Sequence, residues 1–221
     1  MIDNNQSQPA AVNQPATTPA PPVAKRPAHH KEGLKSALST IAVLLIAPLV
    51  ALFLTAFIFQ SYQVDGPSME TTLHNNDRLI VWKLPKTWSR ITGHAYIPRR
   101  GDVVVFIEPN LGQFGQNPDK QLIKRVIGLP GERIVVHNNT LAVYNQEHPD
   151  GFQPDATLPY GVVIENTPIE GEWKVGKNQI FVAGDNRSNS LDSRTFGPVD
   201  AQDIVGKLAA RVLPINMMKK F

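Results

Sequence analysis

Hydrophobic and polar positions change rhythm once along this chain of 221 residues. Residues 38–59, LSTIAVLLIAPLVALFLTAFIF, form a run of 22 positions without a charge. As a helix rising 1.5 Å per residue it spans roughly 33 Å, close to the ~30 Å hydrocarbon core of a bilayer. One transmembrane helix is therefore expected over 36–60, with Pro48 able to kink it without breaking it. A secretory signal fits poorly, because its apolar region is about 7–15 residues long and starts near the N-terminus. A buried core helix is the other reading of such a run. Past residue 60 the pattern becomes that of strands, short runs rich in Val and Ile between Gly, Pro, Asn and Asp clusters. Strands are expected at 78–83, 102–108, 121–127, 132–138, 140–145, 161–166, 179–184 and 203–215, with a tight hairpin at Asn138-Asn139. The fold class expected is mostly β: an antiparallel, curled sheet over 61–221 with a smaller, looser excursion or cap at 138–177, preceded by one transmembrane α-helix.

Composition adds detail at the N-terminus. Residues 1–35 are rich in Pro, Ala, Gln, Asn and Thr, with few large apolar side chains, and are expected to be a disordered tail. Net charge is +3, of which +2 falls in that tail: Lys25, Arg26, Lys31 and Lys35 against Asp3 and Glu32. The positive-inside rule then puts the tail in the cytoplasm and 61–221 outside, giving a single-pass cell-membrane protein with the bilayer as a partner. The body has no basic face, which argues against nucleic acid as a partner. The chain has no cysteine, which excludes a disulfide framework, a Cys nucleophile and Cys-ligated zinc.

Three stretches stand out chemically. In QLIKRVIGLPGERI (121–134), alternation puts Lys124 on one face with Leu122 and Val126, and Arg125 on the other with Ile123 and Ile127. Lys124 either sits at a sheet edge with its head in water, or is held in apolar surroundings for a purpose. In VDGPSMETTL (64–73), Gly66 lets backbone approach a ligand, while Ser68 could equally cap a short helical turn. GDNRSNSLDSRTFGPV (184–199) is either a solvated connection or a fixed hydrogen-bonded network. Trp82 and Trp88 lie among Lys83, Lys86 and Arg90. Such a mix suits a membrane headgroup level; for Trp82 a place in the strand core is the preferred reading, while Trp88 is left open between the headgroup level and covering a loop.

Taken together, GPSMETTL (66–73), RRGDVVVF (99–106), KRVIGLPGERI (124–134) and GDNRSNSLDSR (184–194) resemble the motifs of type I signal peptidases, the membrane-bound Ser-Lys proteases of the S26 type, in that family's order. The single span and the VDG before the serine resemble the compact bacterial members. The resemblance implies Ser68 as nucleophile, Lys124 as general base and Ser190 as the serine that orients the lysine. It implies an oxyanion hole built on the Ser68 N–H, with Gly66 where some members carry a second serine donor. Arg125, Asp185, Asp192 and Arg194 match supporting ion-pair positions. Met69 and the strand Asp102, Val103, Val104, Val105 and Phe106 are implied to line the substrate groove. Preprotein signal peptides with an A-x-A-like cleavage motif are the implied substrate, and no cofactor or metal is required. Pro67 and Thr71 depart from the family's usual residues at those positions.

The resemblance gives Lys124 its purpose. A serine hydroxyl is a weak nucleophile until a base takes its proton. An unperturbed lysine, with a pKa near 10.4, is protonated at neutral pH, and burial among Leu122 and Val126 would lower that value. Arg125, on the opposite face, is expected to pair with Asp185. Rival readings are a Ser-His-type anchored hydrolase using His74, His94, His137 or His148, a self-cleaving Ser-Lys repressor, and an anchored binding domain without catalysis.

Overall fold

The computed structural model describes residues 30–221 except 71, 118, 119, 158, 159, 161–163 and 165. Most of the expected tail and most of the strand expected at 161–166 lie outside the described residues. The described chain falls into two units, the helical segment up to Leu45 and Ile46–Phe221. Helix α1, His30–Phe53, begins ahead of the expected position 36 and contains Pro48. A π-helical turn, Leu54–Ile58, follows it. Lys35–Ile58 is long and apolar enough to cross a membrane, with its side chains unburied.

The β body begins directly after this helix. Strand β1 (Phe59–Gln63) is followed by β2 (Arg78–Trp82), helix α2 (Leu84–Thr92), β3 (Val103–Ile107) and β4 (Gln121–Gly128). Strands β5 (Arg133–His137), β6 (Thr140–Tyr144) and β7 (Gly171–Lys174) come next. Then follow β8 (Gln179–Ala183), β9 (Val199–Asp200), β10 (Ile204–Leu213) and β11 (Lys219–Lys220). The main sheet has the order β1-β2-β10-β3-β4-β8-β9, with β11 on β10, and every pairing in it is antiparallel. Register shifts along β10 and between β4 and β8 add local twist and curl the sheet.

The uninterrupted VVVF of β3 has a simple cause. Val103, Val104, Val105 and Phe106 are all buried, because β3 lies between β10 and β4 with apolar packing on both faces. One core gathers Val104, Phe106, Leu122, Val126, Ile180 and Val182, and another gathers Ile127, Ile134, Val136, Phe181 and Ala183. Alternation along β4 thus feeds two cores from one strand. The smaller sheet, β6-β5-β7, takes in β5 as its central strand, so it starts ahead of residue 138. Asn138 and Asn139 both have positive φ, 48° and 58°, the type I′ geometry that Asn tolerates in a two-residue hairpin.

Strands β1, β7, β9 and β11 and helix α2 lie outside the expected elements. Trp82 is not a core residue: it is exposed at the end of β2 opposite Phe59, where the sheet meets the end of the apolar helix.

Candidate active site

Three segments converge on Lys124. The first is the turn that follows β1, anchored by burial of Val64, Met69 and Leu73 beside Leu79 and Leu208. Gly66 in this turn has φ +103°, a backbone conformation open to glycine and strained for other residues. The second is β4. The third is the loop 184–194 after β8.

Lys124 Nζ lies 2.7 Å from Ser68 Oγ and donates a hydrogen bond to the carbonyl of Ile123 at 3.0 Å. The lysine is 3% exposed, so it does not reach out of a sheet edge into water. Burial is the largest influence on its amine. Asp192 and Asp185 pull the pKa up, Lys120 and Arg194 push it down, and the outcome is a fall from 10.5 to about 8.

The loop 184–194 is locked onto the serine turn. The Asn186 N–H donates to the Ser68 carbonyl at 3.1 Å, and Asn186 Nδ2 donates to the Pro67 carbonyl at 3.2 Å. Arg125 makes a two-pronged pair with Asp185, Nε to Oδ1 at 2.8 Å and Nη2 to Oδ2 at 2.6 Å. Thr72 Oγ1 donates to the same carboxylate and accepts from Arg125 Nη2 at 3.2 Å. Arg194 makes a second two-pronged pair with Asp192, at 2.8 and 2.7 Å, and Asp192 also accepts the Gly184 N–H at 2.9 Å. These four charged side chains are 0–6% exposed, so each charge is desolvated and depends on its partner.

The expected site residues fall into three groups. Ser68 and Lys124 come together, and so do the pairs Arg125–Asp185 and Asp192–Arg194. Ser190 Oγ is buried with no hydrogen-bond partner among the described residues, so the bond expected from it to Lys124 is not formed. The lysine amine instead turns to the carbonyl of its neighbour Ile123, while Ser190 Oγ packs against Gly184. A Cβ on Gly184 would stand 2.3 Å from Ser190 Oγ and 2.4 Å from the Ser68 carbonyl oxygen, which is why only glycine fits there. The Gly66 N–H is engaged by Asn75 Oδ1 at 3.1 Å and Pro67 has none, whereas the Ser68 N–H has no partner among the described residues.

The third group reaches an open surface only in part. Val104, Val105 and Phe106 are buried on a strand paired at both edges, while Asp102 and Val103 border a groove of about 370 Å³ together with Arg100, Arg125 and Tyr160. Asp102 pairs with Lys207 at 2.7 Å, and Met69 is in the core. The free edge belongs to β4. Its pairing with β3 runs from Arg125 to Gln121, but its pairing with β8 reaches only as far as Arg125. Residues 121–124 therefore leave one edge bare among the described residues. Val126 exchanges bonds on the β3 side, so alternation turns the N–H and carbonyl of Ile123 toward that bare edge.

Thr72, Asn186 and Arg187 are structural members of the site that carried no assigned role in the sequence reading. Arg187 binds the Gly184 carbonyl at 3.0 Å, Thr167 Oγ1 at 2.7 Å and Asp155, tying the loop to the small helical turn Pro154–Thr157. Its place in GDNRSNS was the available signal. The role of the Ile123 carbonyl had none, since backbone leaves no mark on composition. No histidine ring hydrogen-bonds a serine among the described residues: His94 meets the Thr92 carbonyl, His137 lies near Glu170, and His148 packs on Phe152.

The family described as signal peptidase, peptidase S26, matches residues 37–213 of this chain. Signal peptidase I of Leptolyngbya laminosa is 34% identical over 209 residues, covering 92% of this chain and 91% of that one. Signal peptidase I P of Bacillus subtilis subsp. natto is 35% identical over 184 residues, covering 81% and 90%. Among solved structures, a signal peptidase I of Enterococcus faecalis V583 is 29% identical with a TM-score of 0.38, covering 51% of this chain and 97% of that one.

Proposed function

Because the chain belongs to the signal peptidase family, peptidase S26, we propose that Ser68 and Lys124 are the nucleophile and general base of a membrane-anchored serine endopeptidase that removes signal peptides from exported preproteins. The observation that carries this reading is the 2.7 Å contact between a serine hydroxyl and a buried amine whose pKa is lowered to about 8.

A neutral amine has two N–H groups and one lone pair. One N–H is held by the Ile123 carbonyl, which leaves the lone pair free to accept the Ser68 proton. Ser68 Oγ then bonds to the scissile carbonyl carbon while the proton passes to Lys124 Nζ. The oxyanion is met by the unengaged Ser68 N–H, a donor that needs no reorganisation at that moment. Lys124 gives its proton to the departing nitrogen, the C–N bond breaks and an acyl-enzyme remains. Water attacks this ester, Lys124 takes the water's proton, and Ser68 recovers a hydrogen as the new carboxyl end leaves.

The bare edge of β4 at 121–124 can receive the substrate as an added extended strand, with Ile123 exchanging backbone hydrogen bonds. Side chains two apart on an extended strand share a face, so two small residues separated by one of any size, an A-x-A-like motif, present a flat face to the enzyme. Lys35–Ile58 spans the bilayer, with the tail in the cytoplasm and the β body outside. Ser190 Oγ, buried and unpartnered among the described residues next to Gly184, is the hydroxyl assigned to help hold the lysine.

The test is cleavage of a model preprotein carrying an A-x-A site by wild type, Ser68→Ala and Lys124→Ala in detergent. Both variants are expected to lose cleavage while keeping their circular dichroism. Full turnover by the lysine variant overturns the dyad.

A further inference from the structure

The oxyanion donor of the proposed reaction is one end of a peptide group whose other end is held by a residue outside the dyad. The Ser68 N–H and the Pro67 carbonyl belong to the same peptide group. That group is planar and trans, so its carbonyl and its N–H point in opposite directions. Whatever fixes the Pro67 carbonyl therefore aims the Ser68 N–H.

Two donors meet that carbonyl. The Glu70 N–H comes from within the serine turn at 3.1 Å, and Asn186 Nδ2 comes from the loop after β8 at 3.2 Å. A carbonyl oxygen has two lone pairs, so both are used. It only accepts, so the amide nitrogen of Asn186, and not its oxygen, must be the atom that faces Pro67. The same residue takes the next peptide as well, its N–H donating to the Ser68 carbonyl at 3.1 Å. Asn186 thus holds the carbonyls on both sides of the Ser68 side chain.

Asn186 itself stands on a fixed base. Asp185 before it is paired with Arg125, and Arg187 after it is tied to Gly184, Thr167 and Asp155. Both neighbours are buried. A hydrogen bond at a carbonyl also draws electrons toward the oxygen and makes the N–H at the far end of the peptide group a stronger donor.

We infer that Asn186 is a positioning residue for acyl transfer: its side-chain amide, bound to the Pro67 carbonyl, aims and polarises the Ser68 N–H toward the oxyanion. It acts through the peptide group and not on the reacting atoms. The ion pairs of the loop 184–194 then hold the amide, and the amide holds the donor. The inference rests on the reading of Ser68 as the nucleophile.

The test uses the full chain in detergent with a model preprotein. Asn186→Leu keeps the approximate size of the side chain and the backbone bond to the Ser68 carbonyl, and removes the side-chain donor. Its kcat is expected to fall about tenfold with KM unchanged, a smaller loss than that of an oxyanion donor itself. The rise of kcat/KM with pH is expected to keep its midpoint near 8, because Lys124 is not altered. A peptide aldehyde, whose adduct with Ser68 carries the same oxyanion, is expected to bind more weakly by the factor lost in kcat. Asn186→His, which restores an N–H of similar reach, is expected to recover part of kcat. An unchanged kcat overturns the inference. So does a rise in KM at constant kcat, which would make Asn186 a substrate contact, or a displaced pH midpoint, which would mean that it acts through Lys124. Equal losses in the Leu and His variants overturn it too, because donation is then not what the side chain supplies. Loss of native circular dichroism in both variants makes the role structural and has the same force. Cleavage by Ser68→Ala would instead fail the underlying reading of the nucleophile, and that is seen without altering Asn186.

Discussion

Lys124 holds a proton equilibrium that can be read in two ways, through catalysis and through stability. In the proposed dyad the active form is the neutral amine. The rate of kcat/KM is therefore expected to rise with pH through a single ionisation near 8 and to level off above it. A midpoint near about 6.5 would point to a histidine instead. For stability the sign runs the same way. The folded pKa lies below the unfolded value of 10.5, so between about 8 and 10.5 the unfolded chain binds more protons, and stability rises with pH across that window. Below pH 8 the buried amine costs about 3 kcal/mol, the free-energy equivalent of that depression. Lys124→Met keeps the volume and removes the amine. It is expected to be inactive yet more stable than wild type below pH 8, with the advantage shrinking toward pH 10.5. Denaturant titrations at several pH values check this, and a variant less stable at every pH would contradict the buried-amine picture.

At the scale of elements, the site depends on how β4, the loop after β8 and the turn carrying Ser68 are joined. The Arg125–Asp185–Thr72 cluster joins all three, and its residues are 4–6% exposed. Removing one partner leaves the other charged and dry. Asp185→Ala is expected to cost about 3–5 kcal/mol and to reduce cleavage through loss of the Ser68 position. Replacing Arg125 as well, with Met, is expected to cost less than the two single changes added together, which a double-mutant cycle in denaturant would show. Additive losses would mean that the two groups do not act as a pair. Much of this was legible in sequence. The Val- and Ile-rich runs of β3, β4, β8 and β10 announce buried strands, and alternation in β4 puts Lys124 and Arg125 on opposite faces. What periodicity cannot carry is which edge of a strand is left unpaired. VVVF is paired on both edges because it is central, and the bare edge among the described residues falls on β4 at 121–124, a consequence of strand order and not of composition. Helix α2 was hidden for a different reason. It is nine residues long with only Leu84, Trp88 and Ile91 as its large apolar side chains, too few turns for a helical period to stand out.

For the whole molecule the remaining quantity is direction across the membrane. The basic side chains before the span are Lys25, Arg26, Lys31 and Lys35, and the first one after it is Arg78, with Asp65 and Glu70 coming earlier. Orientation follows Lys and Arg within about 15–20 residues of the span ends, and here the whole bias lies on one side. The proposed reaction calls for the same direction. A preprotein's mature part emerges on the outer face, and a peptidase held by a single span can meet the junction there only if its β body is also outside. Ser7→Cys and Glu147→Cys, made singly in a chain without other thiols, report the two sides. In intact spheroplasts a membrane-impermeant maleimide is expected to label position 147 and to reach position 7 only after lysis. The reverse pattern, or labelling of both before lysis, would put the tail outside. The four cations would then have failed to hold it in the cytoplasm, and the dyad would have to meet its substrate from the other face of the bilayer.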